Sequence, residues 1–269
     1  MQLTTARLTL EIERRGTGPR VLFIGGTGGD LRRTPGVFDG PLGAAGFDLL
    51  AFDQRGLGRS ERPPGPYGMD DYADDAAALL DAVDWPDCLV VGVSFGGMVA
   101  QELTLRHPDR VRALVLCCTS SGGEGGASWP LERLETLPEA ERDRLRLTLN
   151  DRRRTPRWQA EHPERVQRML DFMHADAAVG AEDPDRARGL ALQLEARAGH
   201  DTWDRLESIR VPTLVCAGRY DGIAPPENAE ALARRIPGAE LAWFEGGHLF
   251  LVQDRAAWPR VIAWLEAHG

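Results

Sequence analysis

The sequence contains no lysine: all 32 of its basic residues are arginine. That absence excludes Schiff-base chemistry on a lysine side chain and any phosphate-binding loop of the kind that ends in Lys-Ser/Thr. Cysteine is scarce too. The four present, Cys88, Cys117, Cys118 and Cys216, form no Cys-x-x-Cys pair and lie in apolar runs such as Cys88-Leu-Val-Val and Val-Leu-Cys117-Cys118. They read as buried free thiols, not as a disulfide framework or a metal site, and suit a reducing compartment. No apolar run approaches the ~20 residues of a membrane span. The segment Met1-Gln2-Leu3-Thr4 lacks the basic-then-apolar pattern of an export signal, so the expectation is a cytoplasmic protein. Positive charge is in deficit, with a formal net charge of −9. An acidic surface disfavours nucleic acid and anionic membranes as partners and leaves a small-molecule substrate open.

What is present is an ordinary globular composition, 42% hydrophobic and 27% charged, in 269 residues. Such a chain buries a large core without staples. Residues 3 to 14 alternate, with Leu8, Leu10 and Ile12 apolar and Thr9, Glu11 and Glu13 polar, which predicts half-buried antiparallel strands. Short continuous apolar runs follow at 21–24, 47–52, 88–93, 111–118 and 211–217, with a weaker one at 241–244. Runs of this kind suit strands covered on both faces. Helical patterns separate them at 70–83, 98–106, 226–236 and 255–267. Alternating strands and helices predict an α/β fold, a mostly parallel central sheet with helices on both faces.

The alternation stops between residues 121 and 207. This stretch opens on Ser120-Ser121-Gly122-Gly123-Glu124-Gly125-Gly126 and then carries helical patterns at 130–149, 157–174 and 184–200. The expected organisation is a core formed by 1–120 and 208–269, with 121–207 inserted as a helical cap.

Three loops carry the chemistry. In Gly92-Val93-Ser94-Phe95-Gly96-Gly97, a serine stands on a tight turn between a predicted strand and a predicted helix. That context exposes its oxygen above the sheet edge, with the helix N-terminus behind it. A serine hydroxyl needs a base. Of the six histidines, His107 falls at the far end of the following helix, His162, His174 and His200 fall in the helical insert, and His268 is the penultimate residue. His248 lies in Glu245-Gly246-Gly247-His248, directly after the last strand, where parallel sheets form their sites. The base needs a carboxylate to orient it. Asp221, in Gly218-Arg219-Tyr220-Asp221-Gly222, follows the strand before and gives the chain order Ser, Asp, His. Asp53, also after a strand, reads instead as a turn residue bonding nearby backbone. The oxyanion formed on attack at a carbonyl needs preorganised donors. The backbone N–H of Phe95 is one, and the N–H of Thr27, in Gly25-Gly26-Thr27-Gly28-Gly29, is the other.

With these motifs in view, and with Asp53-Gln54-Arg55-Gly56-Leu57-Gly58-Arg59-Ser60 and His107-Pro108-Asp109-Arg110-Val111 beside them, the chain resembles the α/β-hydrolase superfamily along nearly its whole length. It is most similar to small bacterial members of the 3-oxoadipate enol-lactonase and carboxylesterase kind. The resemblance implies hydrolysis of a small carboxylic ester or lactone through an acyl-enzyme on Ser94, with no metal and no organic cofactor. One position departs: Gly25 stands where the family usually has histidine.

In the cap, Trp129, Trp158, Phe172 and Trp203 are the candidate substrate-binding side chains, with Met173 beside them. Arg152-Arg153-Arg154 reads mainly as solvated surface. The same triad also suits acyl transfer, perhydrolysis or C–C bond hydrolysis, since fold and site are shared among these reactions. A binding protein of the same fold with a decayed site is the alternative of another class, and the intact Ser94, Asp221 and His248 stand against it. The reading allows a homodimer.

Overall fold

The computed structural model describes residues 1–269. The apolar runs become strands β1 (Gln2–Thr4), β2 (Thr9–Arg15), β3 (Arg20–Ile24), β4 (Asp48–Phe52), β5 (Cys88–Val93), β6 (Val111–Cys117), β7 (Thr213–Gly218) and β8 (Glu240–Phe244). They form one sheet in the order β1-β2-β4-β3-β5-β6-β7-β8. The first two strands join antiparallel, as their period-two alternation predicts. From β4 to β8 every pairing is parallel.

Helices α1 (Pro41–Ala44), α2 (Met69–Ala82), α3 (Phe95–Arg106), α4 (Glu139–Asn150), α5 (Pro156–Glu161), α6 (Pro163–Ala178), α7 (Arg186–Ala198), α8 (Pro226–Arg235), α9 (Phe250–Gln253) and α10 (Ala257–His268) complete the chain. The central strands are apolar throughout because both faces are covered. On one side Cys88, Val90, Leu114 and Leu116 pack with Leu79, Val99 and Leu232 of α2, α3 and α8. On the other, Leu89, Val91, Ala113 and Val115 pack with Leu42 of α1 and Val261 and Leu265 of α10. All four cysteines are buried and unpaired. No helix is long and apolar enough to cross a membrane.

Between β6 and β7 there are helices and no strand. Their limits differ from the sequence pattern at the prolines. The first expected helix splits into a 3₁₀ segment, Leu131–Thr136, and α4 after Pro138. The second splits into α5 and α6 at Pro163. Proline lacks an N–H and fits the first turn of a helix but not its interior, so each proline starts a new element. For the same kind of local reason the helix expected from residue 98 begins at Phe95, immediately after Ser94.

The antiparallel edge is fastened to α2 by a buried ion pair. The Arg55 guanidinium donates to Asp75 through Nε at 2.6 Å and Nη2 at 2.8 Å, and Arg7 Nε donates to the same carboxylate at 2.9 Å. Asp75 is fully buried, and Arg55 also lies over the Tyr67 ring at 5.2 Å. Burying both charges is costly, so the larger effect comes from breaking the pair and stranding Arg55. Replacing Asp75 by alanine is expected to lower unfolding stability by about 3–5 kcal/mol, read from urea unfolding midpoints. A loss near zero would show that Arg55 finds water or another partner.

Candidate active site

The chain enters the site at the turn joining β5 to α3. Ser94 has φ +55° and ψ −116°, a conformation outside the usual regions for a residue with a side chain. Such backbone costs of order 1–3 kcal/mol and persists only where its surroundings enforce it. Two glycines let them do so. A Cβ on Gly92 would lie 2.5 Å from the Gly96 carbonyl, and one on Gly96 would lie 2.0 Å from the carbonyl of Ile24 at the end of β3. The first lets helix approach strand. The second, which the sequence motif alone does not disclose, seats the helix start on the neighbouring strand's loop.

The hydroxyl, on a buried residue, meets the other two loops directly. Ser94 Oγ and His248 Nε2 are 3.0 Å apart, and His248 Nδ1 is 2.8 Å from Asp221 Oδ2. Asp221 is fully buried, and its other oxygen accepts the N–H groups of Ile223 and Ala224 at 2.8 and 2.9 Å. An acceptor-only carboxylate so held makes Nδ1 the donor and leaves Nε2 to receive the serine proton. The other five histidines are engaged elsewhere: His107 with Asp74, His162 with the Trp158 carbonyl, His174 with Asp143, His200 with the Ser120 carbonyl and His268 with the Trp264 carbonyl.

The two expected oxyanion donors border the same serine. The Phe95 ring is fully buried against Tyr72, 4.9 Å between centroids, which leaves its N–H at the open first turn of α3. A Cβ on Gly26 would stand 3.5 Å from Ser94 Cβ, so the loop carrying Thr27 runs beside the hydroxyl. At the departing position, Gln54 Nε2 donates to the Gly25 carbonyl at 2.9 Å and steadies the loop where a histidine is absent. Asp53 anchors this region, but with longer reach than a local turn: its oxygens accept the N–H of Leu31 at 2.7 Å and of Arg59 at 2.9 Å. Burial pushes its carboxyl up to about 6, and those two N–H groups pull against it.

The inserted helices grip these loops, and sequence reasoning missed it. At the end of α4, the Asn150 carbonyl accepts the His248 N–H at 2.8 Å, and the Leu149 carbonyl accepts the Gly222 N–H at 2.9 Å. Arg152 N–H reaches the Tyr220 carbonyl at 2.8 Å. Arg153 pairs with Asp151 at 2.7 Å and lies 4.1 Å over the Tyr220 ring. Arg152 and Arg153 are exposed, as expected of a solvated run, and the Arg152 backbone and the Arg153 guanidinium also touch the loop that carries Asp221. Helix α7 spans the other side, where Gln193 Oε1 accepts the Gly28 N–H at 2.8 Å.

The four aromatic side chains expected to line a pocket are not brought together. Trp129 packs on Leu134, Leu149 and Ile223, close to the Asp221 loop. Trp158 stacks on His162 at 4.6 Å. Trp203 packs on the core under Arg235, and Phe172 is 62% exposed. Short inserted helices need their own packing, and these rings supply it or, for Phe172, face outward. A depression of about 360 Å³ between α2, α3 and α7 contains none of the Ser94 cluster. Glu139, Asp143 and His174 bring ligand-type atoms within 4.8 Å of one another on α4 and α6. His174 already bonds Asp143 there at 2.6 Å.

The sequence profile of the alpha/beta hydrolase fold family matches residues 19–254. A poly(3-hydroxyalkanoate) depolymerase of Ectopseudomonas oleovorans is 31% identical over 82% of this chain and 75% of its own. The 3-oxoadipate enol-lactonase 2 of Acinetobacter baylyi is 28% identical over 80% and 77%. The crystal structure of a hydrolase from Pseudomonas aeruginosa superposes with a TM-score of 0.78 at 29% identity, covering 98% of this chain and 97% of that one.

His200 gives the region an acid-sensitive anchor. Its Nε2 donates to Ser120 O at 3.1 Å, its Nδ1 has no partner, and burial pulls its pKa from 6.5 down to about 4. A depressed folded value means the unfolded chain takes the proton first as pH falls. Stability is therefore whole above pH 6.5 and drains away between 6.5 and 4, by about 3 kcal/mol at 1.36 kcal/mol per unit. Comparing urea unfolding of wild type and His200→Gln across that window should show a shallower acid loss in the variant. Parallel curves would contradict the assignment.

Proposed function

The chain belongs to the α/β-hydrolase family and is a hydrolase of that fold, and from this premise we propose that it cleaves a carboxylic ester or lactone of a small molecule through a Ser94–His248–Asp221 triad. The observation that carries the reading is the line of two hydrogen bonds, 3.0 and 2.8 Å, from Ser94 to His248 to Asp221.

His248 Nε2 takes the Ser94 proton as Oγ attacks the carbonyl carbon. The developing oxyanion is held by the N–H groups of Thr27 and Phe95, which are fixed before reaction and need no reorganisation. Asp221 holds the imidazole in the competent tautomer and stabilises the imidazolium. The imidazolium then returns its proton to the leaving oxygen, which for a lactone stays attached to the acyl group. Water, deprotonated by His248, attacks the acyl-enzyme and releases the acid. Residues 121–207 act as a cap that sets substrate size, with α4 and α7 walling the two sides of the serine.

Short-chain p-nitrophenyl esters and lactones test this. Ser94→Ala is expected to lose ~10⁴–10⁶-fold in kcat, and Asp221→Asn ~10⁴-fold. Turnover that survives Ser94→Ala, or a wild-type protein that turns over no ester or lactone, would sink the proposal.

A further inference from the structure

One buried carboxylate is short of positive charge. Elsewhere in the chain arginine holds the buried Asp48, Asp75, Glu102 and Asp151, and pairs of backbone N–H groups hold Asp53 and Asp221. Asp143, on α4, has neither. Its side chain is 8% exposed, and its one hydrogen bond is with His174 Nε2 on α6, at 2.6 Å. A carboxylate taken out of water with so little compensation is costly and is retained where something else supplies the charge.

A second carboxylate deepens the deficit. Glu139 lies one turn before Asp143 on the same face of α4 and brings Oε1 to 4.0 Å from the same His174 Nε2. The three ligand-type atoms lie within 4.8 Å of one another, and no other three such side chains in the chain converge in this way. Bonds of about 2.0–2.2 Å from a tetrahedral zinc ion to nitrogen and oxygen put neighbouring ligand atoms about 3.3 Å apart. The observed 2.6 and 4.0 Å fall on either side of that value. Small side-chain rotations therefore bring all three onto one ion and leave a fourth position for water.

We propose that Glu139, Asp143 and His174 form a binding site for a divalent cation of the zinc kind, which fastens α6 to α4. One imidazole with two carboxylates suits a borderline ion better than a hard one such as Mg²⁺ or Ca²⁺, which prefers an all-oxygen shell. The fold gives such an ion a task. Of the sixteen residues of α6 only Val166 is buried, so apolar packing holds this helix weakly. The contacts of His174 are its only side-chain hydrogen bonds or ion pairs with α4. The other end of α4 carries the Leu149 and Asn150 carbonyls that accept the Gly222 and His248 N–H groups. The ion takes no part in the chemistry at Ser94, and the inference does not depend on the serine-hydrolase reading.

The test uses the whole chain without an affinity tag, stripped with a chelator and titrated calorimetrically with Zn²⁺, Mg²⁺ and Ca²⁺ in turn. A single Zn²⁺ per chain is expected to bind in the micromolar range or tighter, with Mg²⁺ and Ca²⁺ much weaker. Saturating Zn²⁺ should raise the melting temperature by several degrees, since the ion binds the folded chain alone. Asp143→Asn and His174→Gln should each weaken Zn²⁺ binding by at least the roughly tenfold to hundredfold that even an outer partner of a metal site is worth. Glu139→Gln should do the same. Glu139 is exposed, so that variant should keep the melting temperature of the stripped protein, which separates a lost ligand from a damaged fold. No micromolar Zn²⁺ binding would overturn the assignment and leave His174 and Asp143 a plain hydrogen-bonded pair. Binding that survives all three substitutions, and so belongs to another place such as His248 and Asp221, would overturn it as well, as would a preference for Mg²⁺ or Ca²⁺.

Discussion

The geometry of one turn governs the site. Ser94 is held at φ +55° because β5, α3 and the loop after β3 meet at glycines with no room for a side chain. That strain lifts the hydroxyl clear of the sheet edge and points the open first turn of α3 at the same space. Every other functional group is positioned relative to it. The order β3-β5-β6-β7-β8 puts the Gly25–Gly29 loop on one side of the serine and the loops carrying Asp221 and His248 on the other.

The helices inserted between β6 and β7 take part in this geometry directly. The end of α4 accepts backbone N–H groups from both the Asp221 loop and His248, while Gln193 of α7 holds the Gly28 N–H and His200, just past the end of α7, bonds the Ser120 carbonyl. Further ties run from core to insert through Arg32 with Glu182, Arg33 with Asp176 and Arg62 with Asp183. The insert is therefore hydrogen-bonded directly to His248 and to the loop that carries Thr27, and arginine supplies the side-chain ties between insert and core. Its planar fork suits the bidentate pairings seen at Asp48, Asp74 and Asp151.

Much of this was legible in the sequence where local rules suffice. The central strands announced themselves as unbroken apolar runs because both sheet faces are covered. Ser94, Asp221 and His248 could be singled out because each lies in a short loop directly after such a run, and the structure brings them within hydrogen-bonding distance. The insert was harder. Its helices were visible, but Pro138 and Pro163 cut them where an apolar period alone runs on. The large rings of Trp158, Phe172 and Trp203 drew attention as pocket residues, yet rings on short helices are first needed for packing. The contacts of Asn150 and Gln193 depend on how the insert folds back on distant loops, 165 residues away for Gln193 and Gly28, and no local pattern encodes them.

The central claim is that Ser94 is a nucleophile activated by His248. Intact-protein mass spectrometry after treatment with a fluorophosphonate, followed by peptide mapping, addresses it most directly. The account predicts one adduct, on Ser94, formed rapidly in wild type and severely slowed in His248→Ala. No adduct, an adduct on another serine, or labelling of Ser94 at an unchanged rate without His248 would contradict it.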